Sequence, residues 1–391
     1  MVGPRSARVA LVAPVRTPIG KFAGGLRNVG ALDLGALVTR EAVARAGMFG
    51  HDVERLVAGE NIQVTRGGNP ARHVSLRAGL PERVDAYTIN MNCSSGMRAM
   101  VSLAQDVLLG EVSRGVAVGM ENMSQTPYLL EQARFGYRLG SGALVDFLAD
   151  HILGDAGPMA EKVATEYGIS RSEQDEFALE SQRRAAQAVD GGLFDSQIVA
   201  VEVPVKGGTE RVERDEHLRP ATSMESLSHL RPAFAADGTV TAGNSSGIND
   251  GAAALVVMEE GMAREEGRPI AGYLSGWASA GVAPDMFGIG PVPAVEKLLS
   301  RKGLSLADIG LVELNEAFAS STIAVMRDLK LSADQVNVNG GAIALGHPVG
   351  ATGLVLVTKL LAEMHRSGVE RGIATMCVGS GQGMSVLLEA A

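Results

Sequence analysis

Short apolar runs alternate with segments of helical periodicity along the first 121 residues. Apolar, β-rich runs cover 7–14, 53–60, 87–92 and 114–120, and residues 32–47 and 95–110 repeat their apolar positions with the period of a helix. Alternation of this kind predicts a parallel or mixed sheet that is covered by helices.

The final third of the chain repeats this rhythm. Strand-like runs cover 270–279, 309–315, 336–341, 371–379 and 384–390, and helix-like segments cover 292–303, 316–330 and 350–368. The stretches INMNCSSG (89–96) and VNVNGGAI (336–343) both predict a strand that ends at Asn, a small-residue turn and a helix, as in duplicated α/β units. Since open α/β sheets bind ligands at the carboxyl ends of their strands, Cys93, Asn339 and Cys377 are all expected at one site.

Residues 122–248 interrupt the rhythm. This segment is richer in charge, and Ser170 precedes Glu173 by three residues at the start of a helical pattern, which predicts a capping box. It ends in the turn-rich stretch 237–251. We interpret it as an inserted region that lies over a site on the α/β body.

Composition narrows the function classes. The chain has 391 residues, 46% of them apolar, and a formal net charge of -9, so it holds more than one packed unit and is a poor candidate for broad nucleic-acid or anionic-membrane binding. A local basic pocket for a phosphorylated ligand stays open. The stretch 1–20 has no signal-peptide pattern, and two cysteines without a CxxC pair suit a reducing compartment, so a cytoplasmic protein is expected.

Cys93 and His347 are the first candidates for chemistry. Cys93 precedes a helix predicted to begin near Ser95, where the unpaired N–H groups and the helix dipole favour a thiolate nucleophile; the alternative is a buried cysteine that only fills space. His347 lies in the glycine-rich stretch NGGAIALGHPVGATG, before a helix predicted to begin at 348–350. It is a candidate base for Cys93, or a structural histidine in a turn.

Asn315 and Glu316 follow a strand and precede a helix, where Asn is also a common N-cap. The stretch CVGSGQG, which holds Cys377 and Gly379, is a poor dinucleotide-binding loop because a strand and not a helix follows it. A zinc site built from Cys93, Cys377 and His347 has suitable ligand types but lacks the short paired spacings and a fourth ligand.

Together these stretches closely resemble the thiolase family over nearly the whole chain. The residues that carry the resemblance are NCSSGMRAM (92–100), ENMSQTPY (121–128), LRPAFAADGTVTAGNSSGINDGAAALVVM (230–258), GIGPVPAVEKLL (288–299), NEAFA (315–319), GGAIALGHPVGATG (340–353) and CVGSGQG (377–383). The family implies an α/β fold in which two duplicated βαβαβαββ halves form a five-layered αβαβα body with an inserted loop domain. It further implies acyl-CoA and CoA as substrates, no separate cofactor or catalytic metal, and homodimers or homotetramers without nucleic-acid or membrane partners.

The resemblance also implies residue roles and domain bounds. Cys93 would carry the acyl group after activation by His347, and Cys377 would act as acid and base. Asn315 would hold a water in the oxyanion hole of the enolate, and Gly379 would donate its N–H to the tetrahedral intermediate. Residues 1–121 with 249–270 would form the N-terminal half, 122–248 the loop domain over the CoA site, and 271–391 the C-terminal half. In the loop domain, Arg219 would pack on the nucleotide of CoA and Ser246 would bind its pantetheine arm.

Three rival functions remain at this point. A β-ketoacyl synthase shares the architecture but has no second cysteine where this chain has Cys377, and a silent lipid carrier or scaffold would not need the intact set of polar residues. A thiolase restricted to acetoacetyl-CoA is the third. Such enzymes resemble one another in an HMG stretch that places a histidine over the acyl group. A gapless reading places Asp155 at the position of that histidine, and a reading with a two-residue deletion instead aligns Pro158 and Met159 with the PMG stretch of broader-range thiolases. The histidine is missing in both readings, and His151 is too far upstream to replace it without a shift in the loop. We therefore expect acyl groups longer than acetoacetyl to be accepted.

Overall fold

The computed structural model describes residues 8–64 and 67–391, so the first seven residues of the stretch examined for a signal peptide lie outside it. The strands are β1 Val9–Arg16, β2 Gly20–Lys21, β3 Arg55–Gly59, β4 Asp85–Ile89, β5 Arg114–Asn122, β6 Tyr128–Leu130, β7 Leu144–Asp146, β8 Val201–Val205, β9 Gly208–Val212, β10 Asn249–Glu259, β11 Ile270–Gly281, β12 Leu311–Leu314, β13 Arg371–Val378 and β14 Gln382–Glu389. The helices are α1 Ala31–Arg45, α2 Pro70–Arg77, α3 Ser95–Leu109, α4 Ala156–Glu166, α5 Arg171–Asp190, α6 Met224–Ser228, α7 Glu260–Glu265, α8 Pro291–Lys302, α9 Ala319–Asp328, α10 Ala342–Leu345 and α11 Val349–Ser367.

Within the described chain, ten strands form one mixed sheet that divides into two similar halves. The order along the sheet is β12-β13-β14-β11-β1-β10-β5-β3-β4, with β2 beside β10. The halves meet where β1 pairs antiparallel with β11. In the first half β3 pairs parallel with both β4 and β5, and in the second β12 pairs parallel with β13.

Helices cover both halves and also fill the space between them. Helices α1 and α2 pack on the first half, α8 packs on β11 and β14 of the second half, and α3 and α11 pack on each other and on strands of the sheet. The apolar cluster around α3 and α11 includes residues from both halves, such as Leu255 of β10 and Met376 of β13. The result is the five-layered αβαβα body that the sequence predicts.

Strand β10 illustrates why the layers form. Residues Asn249–Met258 are all buried, and successive side chains point to opposite faces of a strand. Leu255 and Val257 join the central cluster, whereas Val256 and Met258 join the outer cluster under α1. A continuous apolar run is therefore required here, because both faces of this strand are covered by protein.

Glycines bring α3 and α11 together at their N-terminal ends. A Cβ on Gly96 would lie 2.7 Å from the carbonyl oxygen of Gly350, and a Cβ on Gly353 would lie 2.6 Å from the Cβ of Met97. These distances are too short for any side chain. The segments that precede the two helices, which hold Cys93 and His347, are therefore brought close together.

One predicted strand is wrong. Residues 336–341 contain only a single bridge between Val336 and Val312, because Asn337 adopts a φ of +47° and turns the chain. Asn339 donates a hydrogen bond to Glu363 near the C-terminal end of α11, whereas His347 precedes the N-terminal end of that helix. Asn339 thus lies away from the site at which the sequence predicted it.

Between β5 and β10 the chain forms α4, α5, α6, two small hairpins and a π-helical turn, Leu148–Leu153. The capping box predicted at Ser170 and Glu173 is confirmed at the start of α5. The short helix α2 is absent from our prediction because its eight residues hold few apolar positions.

Candidate active site

Cys93 lies in a tight turn between β4 and α3. Asn92 adopts a φ of +46°, a conformation that Asn tolerates better than most residues. The hydroxyl of Ser95 donates to the carbonyl of Asn92 at 2.7 Å and accepts the N–H of Met91 at 2.9 Å. These bonds fix the turn, so the thiol is presented just before the first residue of the helix.

The Cys93 thiol lies inside the protein, although the residue as a whole is partly exposed. Burial, with a smaller contribution from the nearby carboxylate of Glu121, raises its pKa to about 11. The backbone N–H groups of Gly379 and of Cys93 itself bond to the sulfur and oppose this shift. Two N–H donors therefore converge where negative charge develops on or next to the sulfur.

The turn that joins β13 to β14 supplies Gly379 and places Cys377 beside Cys93. Ser380 and Gly381 adopt φ values of +68° and +85°, and the Asn92 amide donates to the carbonyl of Gly379 at 2.9 Å. Cys377 is buried, and burial together with the proximity of Cys93 raises the pKa of its thiol. Both cysteines are consequently neutral thiols near neutral pH.

His347 is buried and its tautomer follows from its neighbours. Its Nδ1 lies 2.7 Å from the hydroxyl of Thr352, and that hydroxyl donates its proton to the carbonyl of Pro348 at 2.8 Å. Because a hydroxyl has one proton, Nδ1 must carry the hydrogen and Nε2 the lone pair. Burial lowers the pKa of His347 to about 4, so Nε2 is free to accept a proton near neutral pH.

Asn315 lies beside His347. It follows β12, its N–H donates to the carbonyl of Thr375 on β13 at 3.0 Å, and its Nδ2 lies 3.5 Å from Nε2 of His347. Its Oδ1 is buried and accepts no hydrogen bond from any residue that the structure describes. Neither Asn315 nor Glu316 caps α9, whose N-cap is Phe318.

An apolar cluster adjoins each cysteine, and the cluster at Cys93 is the larger of the two. Cys93 packs against buried Ile62, Met123, Leu148 and Val349, with partly buried Phe147, Ile152, Leu153 and Ile248 around them. Cys377 packs with buried Phe287 and Ala317, with partly buried Ala156, Met159 and Phe318 around them. The ring of His151 packs on Phe147 at a centroid distance of 5.0 Å, so His151 reaches the edge of the Cys93 cluster through Phe147.

Arg219 and Ser246 lie in the region between β5 and β10. Arg219 is exposed. The burial of His217 and, to a smaller extent, the charge of Arg219 lower the pKa of His217 to about 4. The N–H of Ser246 donates to the carbonyl of Ala317 at 2.9 Å. Ser246 is thereby attached to the cluster that holds Cys377.

Sequence reasoning missed three residues that shape the site. They are Thr352, which orients His347; Asn92, which orients Gly379; and Asn249, whose Oδ1 accepts the N–H of His347 at 2.9 Å. Asn92 is adjacent in sequence to the candidate nucleophile Cys93, so its tolerance of positive φ was a usable signal. Asn249 is 98 residues from His347 in sequence, and nothing in the sequence links the two.

The chain matches models of two families, the thiolase N-terminal domain over residues 9–261 and the thiolase C-terminal domain over residues 268–390. It is 46% identical to the acetyl-CoA acetyltransferase of Escherichia coli over 386 residues, which is 97% of this chain and 98% of that protein. The chain therefore belongs to the thiolase family of acyltransferases.

Two solved structures are also similar. The Bacillus anthracis acetyl-CoA acetyltransferase has a TM-score of 0.97 and 42% identity and covers 100% of both chains. The human mitochondrial 3-ketoacyl-CoA thiolase in complex with CoA has a TM-score of 0.94 and 38% identity, and the match covers 98% of each chain. The relatives thus include enzymes named for acetyl-CoA and an enzyme named for 3-ketoacyl-CoA.

Residues 8–64 and 67–391 contain no group of three or more His, Cys, Asp or Glu side chains placed to hold a metal ion. They also contain no helix that is both long enough and apolar enough to cross a membrane.

Proposed function

We propose that this thiolase cleaves 3-oxoacyl-CoA with Cys93 as nucleophile, His347 and Cys377 as its acid–base pair, and CoA as the acyl acceptor. The observation that carries the proposal is the convergence of two N–H donors on a thiol that has a second cysteine beside it. A second thiol next to the nucleophile favours this assignment over a β-ketoacyl synthase, which lacks that acid.

In the first half-reaction, Nε2 of His347 takes the Cys93 proton while the sulfur attacks the 3-keto carbon. The N–H groups of Cys93 and Gly379 stabilise the oxyanion that forms. The bond between C2 and C3 then breaks, and its electron pair becomes the enolate of acetyl-CoA. His347, now protonated, and a water bound to Asn315 stabilise that enolate, and Cys377 donates its proton to C2.

In the second half-reaction, the Cys377 thiolate takes the proton of the incoming CoA thiol. The CoA sulfur attacks the acyl group on Cys93, and the Cys93 sulfur leaves as a thiol after it recovers its proton from His347. His347 thus returns the proton of Cys93, and the proton of the CoA thiol replaces the one that Cys377 gave to C2. The same steps run backwards in Claisen condensation, and the concentrations of acetyl-CoA and CoA select the direction.

CoA binding is assigned to the region between β5 and β10. Support comes from the exposed guanidinium of Arg219, which can stack on adenine and contact phosphate, and from the attachment of Ser246 to the Cys377 cluster. The loop-domain bounds of 122–248, a cytoplasmic location and a homodimeric or homotetrameric assembly also belong to the proposal. Light scattering during size-exclusion chromatography tests the assembly.

We assign the variable acyl chain to the larger cluster at Cys93 and the acetyl unit to the smaller cluster at Cys377. The Cys93 cluster has four partly buried apolar members that can contact a chain, and each buried methylene contributes about 0.8 kcal/mol. We therefore expect kcat/KM to rise from four-carbon to longer 3-oxoacyl-CoA. A preference for acetoacetyl-CoA, with negligible activity at six or more carbons, would instead indicate an acetoacetyl-CoA-specific thiolase.

The experiment that tests the function is a thiolysis panel over acyl lengths. Loss of the absorbance of the magnesium enolate of the 3-oxoacyl-CoA is followed after CoA is added, and the acyl-CoA products are identified by mass. No reaction at any chain length would favour a silent carrier or scaffold protein.

A further inference from the structure

Two adjacent residues on α5, Ser181 and Gln182, bridge segments that are far apart in sequence. Both are buried polar residues on a helix that contributes no group to the chemistry described above. Buried polar side chains of this kind are expected to be fully hydrogen-bonded. Their partners show which parts of the molecule the helix connects.

Gln182 connects the backbone at Arg219, here called the Arg219 segment, to residues 341–346, which lead into His347 and are here called the His347 segment. Its Oε1 accepts the N–H of Arg219 at 2.9 Å, and its Nε2 donates to the carbonyl of Ile343 at 3.2 Å. Ile343 lies in α10, four residues before His347. One amide group therefore fixes the backbone on both the CoA side and the acid–base side of the site.

Ser181 connects the His347 segment to Glu316, the residue that follows Asn315. Its hydroxyl donates to Oε2 of Glu316 at 2.6 Å and accepts the N–H of Gly341 at 3.1 Å. Glu316 also accepts the N–H of Ile343 at 3.1 Å and the amide of Asn337 at 2.8 Å. Ser181 thus touches the Glu316 and His347 segments but has no bond to the Arg219 segment.

The close approach of the backbone at Gly341 to the Glu316 carboxylate requires a glycine at this position. A Cβ on Gly341 would lie 2.1 Å from the carboxyl carbon of Glu316, so only glycine allows the backbone to reach that carboxylate and the Ser181 hydroxyl. Because α10 ends at Leu345 and only Gly346 separates it from His347, a displacement of residues 341–345 shifts the imidazole relative to Asn315.

We infer that Ser181 and Gln182 are positioning residues, which hold His347 at Asn315 and, through Gln182 alone, hold the Arg219 segment in place for CoA. The inference rests on the proposed roles of Arg219 and His347. It assigns different kinetic effects to the two neighbours. Loss of Ser181 affects kcat, and loss of Gln182 affects both kcat and KM for CoA.

The test compares Gln182→Met with Gln174→Met. Gln174 is a buried glutamine on the same helix, but its amide bonds to Ile169, Ser170 and Thr239 at the far end. Both variants lose a buried amide and keep the side-chain length, so both lower the unfolding temperature. We expect Gln182→Met to raise KM for CoA at least fivefold and lower kcat about tenfold, with Gln174→Met within twofold of wild type in both constants.

Two further variants separate the kinetic effects of the individual hydrogen bonds of Ser181 and Gln182. Ser181→Ala is expected to lower kcat about tenfold with KM for CoA within twofold of wild type. Gln182→Glu keeps an acceptor for the Arg219 N–H but cannot donate to Ile343, so it is expected to lower kcat with little change in KM for CoA. It carries the test if Gln182→Met does not fold.

Equal kinetic effects of Gln182→Met and Gln174→Met, or an effect on unfolding temperature alone, would overturn the inference. So would a rise in KM for CoA in Ser181→Ala that matches the rise in Gln182→Met. A wild-type protein without thiolysis would instead overturn the proposed function, and the two failures are therefore distinguishable.

Discussion

Replacing Thr352 by valine tests whether the hydroxyl sets the tautomer of His347. Valine keeps the shape of threonine but removes the acceptor that lies 2.7 Å from Nδ1. The Nδ1–H would then be buried without a partner, or its proton would move to Nε2. Loss of the partner disfavours the Nδ1–H tautomer, and the molecules that move the proton to Nε2 present no lone pair to Cys93.

The size of the effect follows from the burial of this group. A buried donor left without a partner costs about 1–3 kcal/mol, and about 1.4 kcal/mol changes a rate tenfold. We therefore expect Thr352→Val to lower kcat/KM by about 5-fold to about 150-fold. The rate of Cys93 alkylation by iodoacetamide near neutral pH should fall in parallel, because it depends on the same proton transfer.

The same helix offers a matched control in Thr358. This residue is also buried, but its hydroxyl has no hydrogen-bond partner among the residues that the structure describes. Thr358→Val should therefore leave kcat/KM within about twofold of wild type and should not lower the unfolding temperature. Wild-type kcat/KM in Thr352→Val, or equal losses in both variants, would refute the tautomer argument.

Three further predictions concern the cysteines and His347. After incubation with an acyl-CoA donor, mass spectrometry should find the acyl group on the peptide NCSSGMR, and an acyl group on Cys377 alone would contradict the assignment of Cys93 as nucleophile. Cys93→Ser should abolish turnover, because a hydroxyl ionises far less readily than a thiol. Cys377→Ser should still acylate Cys93 but exchange the methyl protons of acetyl-CoA with solvent more slowly than wild type, and an unchanged exchange rate would remove Cys377 from the mechanism. Burial lowers the pKa of His347 from 6.5 to about 4, so as pH falls His347 takes up a proton in the unfolded state before it does so in the folded state. The free energy of unfolding should therefore decrease by about 3 kcal/mol between about pH 6.5 and pH 4. Urea unfolding across this range should show a smaller decrease for His347→Gln, and an equal decrease would contradict the assignment.

The periodicities of the sequence predicted a sheet covered by helices, because they are local, whereas the five-layered arrangement followed from the resemblance to the thiolase family. Apolar runs such as 371–378 become strands, and amphipathic segments such as 95–109 become helices, wherever both lie in a duplicated α/β pattern. The one strand predicted in error, at 336–341, failed at Asn337, where a positive φ that no periodicity reveals turns the chain.

The sequence also supplied the candidate residues of the proposed site but not their geometry. Cys93, His347 and Cys377 stand out in sequence because each is a reactive side chain within three residues of a glycine. The groups that surround them are known only from the folded chain, because the partners of His347 and Cys93 come from strands and turns distant along the chain, such as Asn249 and Gly379. Burial, which sets the protonation state of both thiols and of the imidazole, likewise arises only when the layers close around them.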